Sequence, residues 1–252
     1  MKKRFVFISV VLFSLLVGNM QGQTVKVAAA ANLRYALEEI KKQYEAGNPA
    51  VKVEITFGSS GLLTQQILNG APFDFFMAAD TDFPEKVSAA GFAAGKVETY
   101  IYGKLALWSL SLDVSNGLEA LFLPAVKKIA VADPKKAPYG KSAVELLKSR
   151  GMYDRINSKI VWGDNISQTA QFAFSGNADR GFIALSLALA PDMQGKGSCY
   201  VFPETICPPL EQACVLIKGS EKNGEALKFK QYVISPSCDS LWEKYGYGLL
   251  KR

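Results

Sequence analysis

Two rhythms alternate along this chain, and each marks a different kind of element. TVKVAAA (24–30) is a short apolar run that reads as a strand. Leu33, Ala36, Leu37, Ile40 and Tyr44 then recur at helical spacing through NLRYALEEIKKQYEAG. Asn32 stands where an N-cap belongs, and Gly47 where the helix should stop. VKVEITF (51–57) switches to a period of two, with Val51, Val53, Ile55 and Phe57 on one face. The turn GSSG follows, then a helix over about residues 62–68 closed by Asn69-Gly70. FDFFMAA (73–79) reads as a third strand, and Asp80, Thr81 and Asp82 cap the next helix, with Pro84 in its first turn.

The same order resumes further on. TYIYGKLALWSL (99–110) predicts one long strand that Gly103 interrupts. KKIAVAD (127–133) is a strand, PKKAPYG a turn, and KSAVELLKSRG a helix ending at Gly151. SKIVWGD (158–164) and RGFIAL (180–185) are strands flanking the helix NISQTAQFAFSG, and ACVLIKG (213–219) is a further strand. The terminal SPSCDSLWEKYGYGLL predicts a short helix and tail. FPETICPPLEQ (202–212) is an irregular connector, either a crossing between lobes or a surface loop. Strand, turn and helix repeated this often predict an α/β fold with largely parallel sheets, which bind ligands at the carboxyl ends of their strands.

Residues 1–22 do not belong to this pattern. Lys2, Lys3 and Arg4 precede the apolar run Phe5–Val17, and GNMQG ends in a small residue. That layout predicts a secretory signal, with an uncleaved anchor as the alternative. No Cys follows the run, so a lipoprotein cleavage site is absent. Removing the segment leaves 26 basic against 23 acidic residues, a balance too even to suggest nucleic acid or a membrane surface. Cys199, Cys207, Cys214 and Cys238 fall in the last quarter of the chain, and export makes disulfides the default expectation, in any of three pairings. The chain has no histidine. This removes Ser-His-Asp and Cys-His nucleophile systems and His-based metal sites.

Five strand-to-helix turns share a character: AAAAN (28–32), GSSG (58–61), AAD (78–80), APYG (137–140) and DNIS (164–167). Apart from Asp80 and Asp164 their residues are small or neutral-polar. A helix start exposes unpaired N–H groups and about half a positive charge. Several converging starts would therefore form an anion site without Lys or Arg, with Gly58 and Gly61 keeping the backbone open to a ligand. Any one such turn alone is ordinary capping. Gly140-Lys141-Ser142 looks like the tail of a phosphate-binding P-loop, but the required earlier glycine is Lys135. Asp74, Asp80 and Asp82 lack the loop glycine and closing glutamate of a calcium loop, so capping and solvation explain them.

AAAANLRYALEEI, FGSSGLLTQQILNGAPFDFFMAADTD, VADPKKAPYGKSAVELL and WEKYGYGLL, in this order and spacing, resemble the periplasmic molybdate-binding proteins of ABC transporters. The block S-S-x-x-L-x-x-Q-I-x-x-G-A-P-x-D-x-F-x-A-A-D is the most specific part. The resemblance implies a two-lobe type II periplasmic-binding fold, each lobe a mostly parallel sheet flanked by helices, joined by two crossing strands. Lobe 1 would hold residues 23–101 and 210–252, and lobe 2 residues 102–209. It implies a periplasmic, monomeric, non-enzymatic protein that binds molybdate or tungstate and passes it to a permease, with no cofactor and no nucleic-acid partner. The metal would be held as its oxyanion, without direct protein–metal ligands. Carried over by position, the contacts would be Asn32, Ser60 and the Ala79 turn from one lobe, with Tyr139 and the Ile166 N–H from the other. Ala184 stands where many relatives place a ligand-contacting tyrosine, and the Tyr139 hydroxyl is a candidate replacement. A same-fold binder of sulfate, phosphate or an organic anion stays open. So does a secreted hydrolase using Ser59 or Ser60 with Lys141 as base, although no G-x-S-x-G elbow occurs.

Overall fold

A computed structural model of the chain describes residues 23–251, so the signal-peptide expectation lies outside the described residues. The chain starts as β1 (Gln23–Ala30), α1 (Arg34–Gly47), β2 (Val51–Gly58), α2 (Ser60–Leu68), β3 (Phe75–Met77) and α3 (Asp82–Ala89). Next come β4 (Ala93–Gly103), β5 (Leu105–Ser109), β6 (Ile129–Ala132), α4 (Pro138–Ser149) and α5 (Tyr153–Ile156). They are followed by β7 (Ile160–Gly163), α6 (Ile166–Phe174), β8 (Arg180–Ala184), α7 (Leu185–Ala188) and β9 (Ser198–Val201). The last elements are β10 (Leu210–Ile217), α8 (Gly224–Val233), α9 (Asp239–Lys244) and β11 (Gly248–Leu249).

Two mixed sheets result. The first has the order β11-β4-β10-β3-β1-β2, the second β7-β6-β8-β5-β9. Parallel pairing is confined to the strand–helix–strand units: β1 with β2 and β3, and β6 with β7 and β8. Around them, β10 and β11 lie antiparallel to β4, and β5 lies antiparallel to β8 and β9. The chain enters the second sheet between Gly103 and Leu105 and returns over residues 202–209. The predicted single strand 99–110 is thus two strands in different sheets, divided where Gly103 interrupts it.

The helical faces read from spacing are the buried ones. Ala36, Leu37, Ile40 and Tyr44 of α1 all pack inward. On the edge strand β2 only Val53 is fully buried among the predicted face, while Lys52, Glu54 and Thr56 face solvent. Two helix starts differ from expectation. Asn32 caps nothing; it sits inside a 3-10 turn over Ala31–Leu33, and its side chain reaches across the fold instead. Helix α4 begins at Pro138, so Tyr139 and Gly140 lie in its first turn. Proline at the first position lacks only an N–H that the helix could not have used.

No disulfide joins any of the four cysteines, against the disulfide expectation. Each sits in a separate setting: Cys199 on edge strand β9, and Cys207 against Ser142 Oγ at 3.5 Å. Cys214 lies inside the first sheet, and the Cys238 thiol donates to the Tyr232 carbonyl.

Candidate functional site

The carboxyl ends of β1, β2, β3, β6 and β7 carry the five neutral turns, and all five turns meet at one cavity. About 200 Å³ of space, partly open to solvent, is lined from Ala30–Asn32, Gly58–Ser60, Ala79, Ala137–Tyr139 and Ile166. Asn32, Ser60, Ala79, Tyr139 and Ile166 are therefore all brought together. Tyrosine is the only ionisable residue among the lining. The space is far smaller than the pockets of roughly 300–1,000 Å³ that take organic ligands.

The donors come from helix starts. Ser59 caps α2 by accepting the Leu62 N–H, which leaves Ser60 as the first helical residue. Ser60 Oγ accepts the Ala79 N–H at 3.0 Å, so its own proton is available to the cavity. Ala79 thus acts through Ser60, its N–H being already engaged. Asn165 caps α6 through the Gln168 N–H at 3.0 Å, and Ile166 opens that helix. The backbone N–H groups of Ser60, Tyr139 and Ile166 have no acceptor among the described residues, as the first turn of a helix dictates.

The expectation that Gly58 and Gly61 hold the backbone open to a ligand is corrected. A Cβ on Gly61 would stand 2.9 Å from the Lys136 Cα, and the Gly61 N–H donates to the Lys136 carbonyl at 2.9 Å. A Cβ on Gly58 would meet the Leu63 side chain at 3.3 Å. Gly61 lets α2 touch the loop before α4, joining the two sides of the cavity. Ser167 Oγ to the Ala31 carbonyl (3.1 Å) and Ser186 Oγ to the Asn32 carbonyl (2.9 Å) join them elsewhere.

Behind the cavity runs a buried polar network. Asn32 Nδ2 donates to Gln212 Oε1 and to the Tyr247 hydroxyl, both at 3.0 Å. Gln212 Nε2 donates to the Tyr139 hydroxyl at 3.0 Å, and the Tyr247 hydroxyl donates to the Asn32 carbonyl at 2.8 Å. Burial raises the Tyr139 and Tyr247 hydroxyls far above the ordinary phenol range, so both stay protonated. Ala184 is buried but does not line the cavity. Gln212 and Tyr247 were missed by sequence reasoning. Glutamine at the head of the apolar run ACVLI was the available signal for the first.

The charged groups nearby are occupied with each other. Lys141 Nζ lies 3.0 Å from Asp82, and Lys136 Nζ lies 3.4 Å from Asp133 and 3.6 Å from Asp164. Asp80 caps the start of α3 by accepting the Phe83 N–H, as expected, whereas Asp74 accepts the Lys26 N–H of β1 and caps no helix. Burial pushes the Asp80 carboxyl up to about 6.

Comparison with known proteins agrees with this geometry. The family model for bacterial extracellular solute-binding proteins matches residues 25–248. The chain is 37% identical to the molybdate-binding protein ModA of Azotobacter vinelandii, over 91% of this chain and 91% of that protein. It is 34% identical to the ModA of Rhodobacter capsulatus, over 87% and 86% of the two chains. The solved structure of the Azotobacter vinelandii periplasmic molybdate-binding protein superposes with a TM-score of 0.84 at 32% identity. That match covers 90% of this chain and all of the other.

Proposed function

The chain belongs to the bacterial extracellular solute-binding proteins, and from that premise we propose that it captures molybdate in the cavity between the five turns. Delivery to an ABC-transporter permease follows from the same reading. Tungstate, of nearly the same size and shape, binds as well. The chain works as a monomer in the periplasm, after removal of residues 1–22. Residues 23–101 with 210–252 form one lobe and residues 102–209 the other, and the anion is enclosed as they close.

One observation carries the reading: a cavity of about 200 Å³, lined by helix starts from five turns and holding no charged side chain. A tetrahedral dianion stripped of water needs several donors around it. The Ser60 hydroxyl, the Asn32 amide and the N–H groups of Ser60, Tyr139 and Ile166 supply them as fixed dipoles. Donor count and cavity size then select the ion, because each buried donor left unpaired costs about 1–3 kcal/mol. The Ser60 setting favours binding over catalysis. Its oxygen is held by the Ala79 N–H, and the conceivable base Lys141 is paired with Asp82. No protein atom coordinates the metal directly; the protein meets the oxygens alone.

Calorimetric titration of the chain lacking residues 1–22 tests the proposal. One molybdate per chain is expected, with sulfate unable to displace it at equal concentration. No heat with molybdate or tungstate at micromolar protein removes the proposal; equal competition by sulfate moves the ligand to the wider oxyanion class.

A further inference from the structure

Gln212 is fully buried, at a break in register where β10 leaves its regular pairing with β4 between Gln212 and Ala213. Such bulges re-aim side chains. Its amide spans the gap between Asn32 and Tyr139, one from each side of the cavity. The fit is close: a Cβ on Gly103 would lie 2.1 Å from the Tyr139 hydroxyl and 2.3 Å from Gln212 Nε2, so only glycine at 103 leaves room for the pair.

Counting hydrogens shows what this contact controls. With Asn32 Nδ2 turned toward Gln212 and Tyr247, both of its protons are engaged, and Asn32 Oδ1 is buried without a partner. An acceptor left on the side of an oxyanion cavity repels the ligand. Turning Asn32 alone would set its Oδ1 against Gln212 Oε1, acceptor to acceptor. Turning both amides by half a rotation removes that clash, provided the Tyr247 hydroxyl moves its proton from the Asn32 carbonyl, which keeps the Ser186 hydroxyl, to Asn32 Oδ1. Gln212 Nε2 then donates to Asn32 Oδ1, Gln212 Oε1 accepts the Tyr139 hydroxyl proton, and Asn32 Nδ2 faces the cavity with both protons free. The two ends of an amide have nearly the same shape, so the turn needs no repacking.

We propose that Gln212 is a positioning residue for the anion site: it forces the Asn32 and Tyr139 side chains to act alternately, and in the liganded protein it turns the Asn32 amide toward the anion while holding the Tyr139 proton. The ligand then receives the Asn32 side-chain amide and the Tyr139 backbone N–H, but not the Tyr139 hydroxyl. This rests on the oxyanion-binding reading above.

The test combines molybdate titration calorimetry with side-chain amide NMR on ¹⁵N-labelled chain lacking residues 1–22. Tyr139→Phe is expected to keep the dissociation constant within about threefold, and Gln212→Leu to weaken it at least about tenfold. The Asn32 NH₂ pair should shift on saturation in the parent protein and in Tyr139→Phe, but not in Gln212→Leu. A tenfold or greater loss in Tyr139→Phe overturns the proposal, as does an Asn32 pair that molybdate leaves unmoved. Tyr139→Phe keeps the test decisive if Gln212→Leu fails to fold. A parent protein that binds no oxyanion would instead remove the functional reading itself.

Discussion

The peptide bond between Ala79 and Asp80 separates two hollows of opposite character. On the Ala79 side lies the cavity of about 200 Å³ lined by small and neutral residues. On the Asp80 side lies a hollow of about 790 Å³, lined by Asp80, Asp82, Lys141, Glu145 and Glu211 among others. Size alone points to the second as the binding site; its charge, four carboxyl groups against the one lysine, and the donors of the smaller cavity both point to the first for an anion. Lys141 and Asp82 are each about half exposed, and a pair in that setting is solvated and contributes about 0–1 kcal/mol. Inside the small cavity nothing competes with the backbone N–H groups, and their dipoles are already aimed. A dianion is held better by many fixed partial charges than by one mobile full charge that water also claims.

Substitutions at the cavity should break this contrast most strongly. Asn32→Asp sets a carboxylate among donors meant for an anion, and molybdate affinity should fall by at least about a hundredfold, or 2.7 kcal/mol, in the same titration. Ile166→Pro removes one backbone donor at a helix position that tolerates proline. About a tenfold loss is expected, with Ile166→Ala as the control for side-chain packing. Ser60→Ala should cost a similar factor, since it takes away the hydroxyl proton and also frees the Ala79 N–H. Unchanged affinity would remove Ser60 from the site.

Substitutions in the charged hollow should matter less. Lys141→Ala is expected to change the dissociation constant by less than about twofold, because only an exposed pair is lost. Asp80→Asn should affect stability alone. Burial holds the folded Asp80 at about 6, against about 3.9 for an unfolded aspartate. The folded chain therefore keeps this proton longer. Its contribution is full below about pH 4 and is lost as pH rises through 6. Asparagine keeps the acceptor for the Phe83 N–H without the ionisation. Thermal melts should show Asp80→Asn raising the melting temperature at pH 7.5 and not at pH 4.

Much of the site was legible in the sequence because helix starts are local. The GSSG and DNIS turns carry Ser59 and Asn165, which cap two of them, whereas the start at Pro138 lay inside a stretch that reads as a turn. The fold class was legible for the same reason, since strand and helix periods alternate cleanly. What escaped depends on contacts distant in sequence. Gln212 and Asn32 are 180 residues apart, and Tyr247 and Asn32 are 215 apart. No local rule pairs them. Asn32 looked like a cap because Asn usually caps, and a long-range network overrode that preference. The break at Gly103 was visible, but the change of sheet across it was not, because β4 and β5 share one apolar pattern. Strand β9 escaped because SCYV is too short and too exposed to show alternation.

Crystallography of the chain grown with tungstate tests the central claim most directly, since the heavy atom marks its own position. The account predicts one tungsten peak among Asn32, Ser60, Tyr139 and Ile166, its oxygens about 2.7–3.2 Å from N–H and O–H donors. No carboxylate, lysine or arginine should touch it. A peak beside Lys141 in the larger hollow, or an anion contacted by any charged side chain, would contradict it.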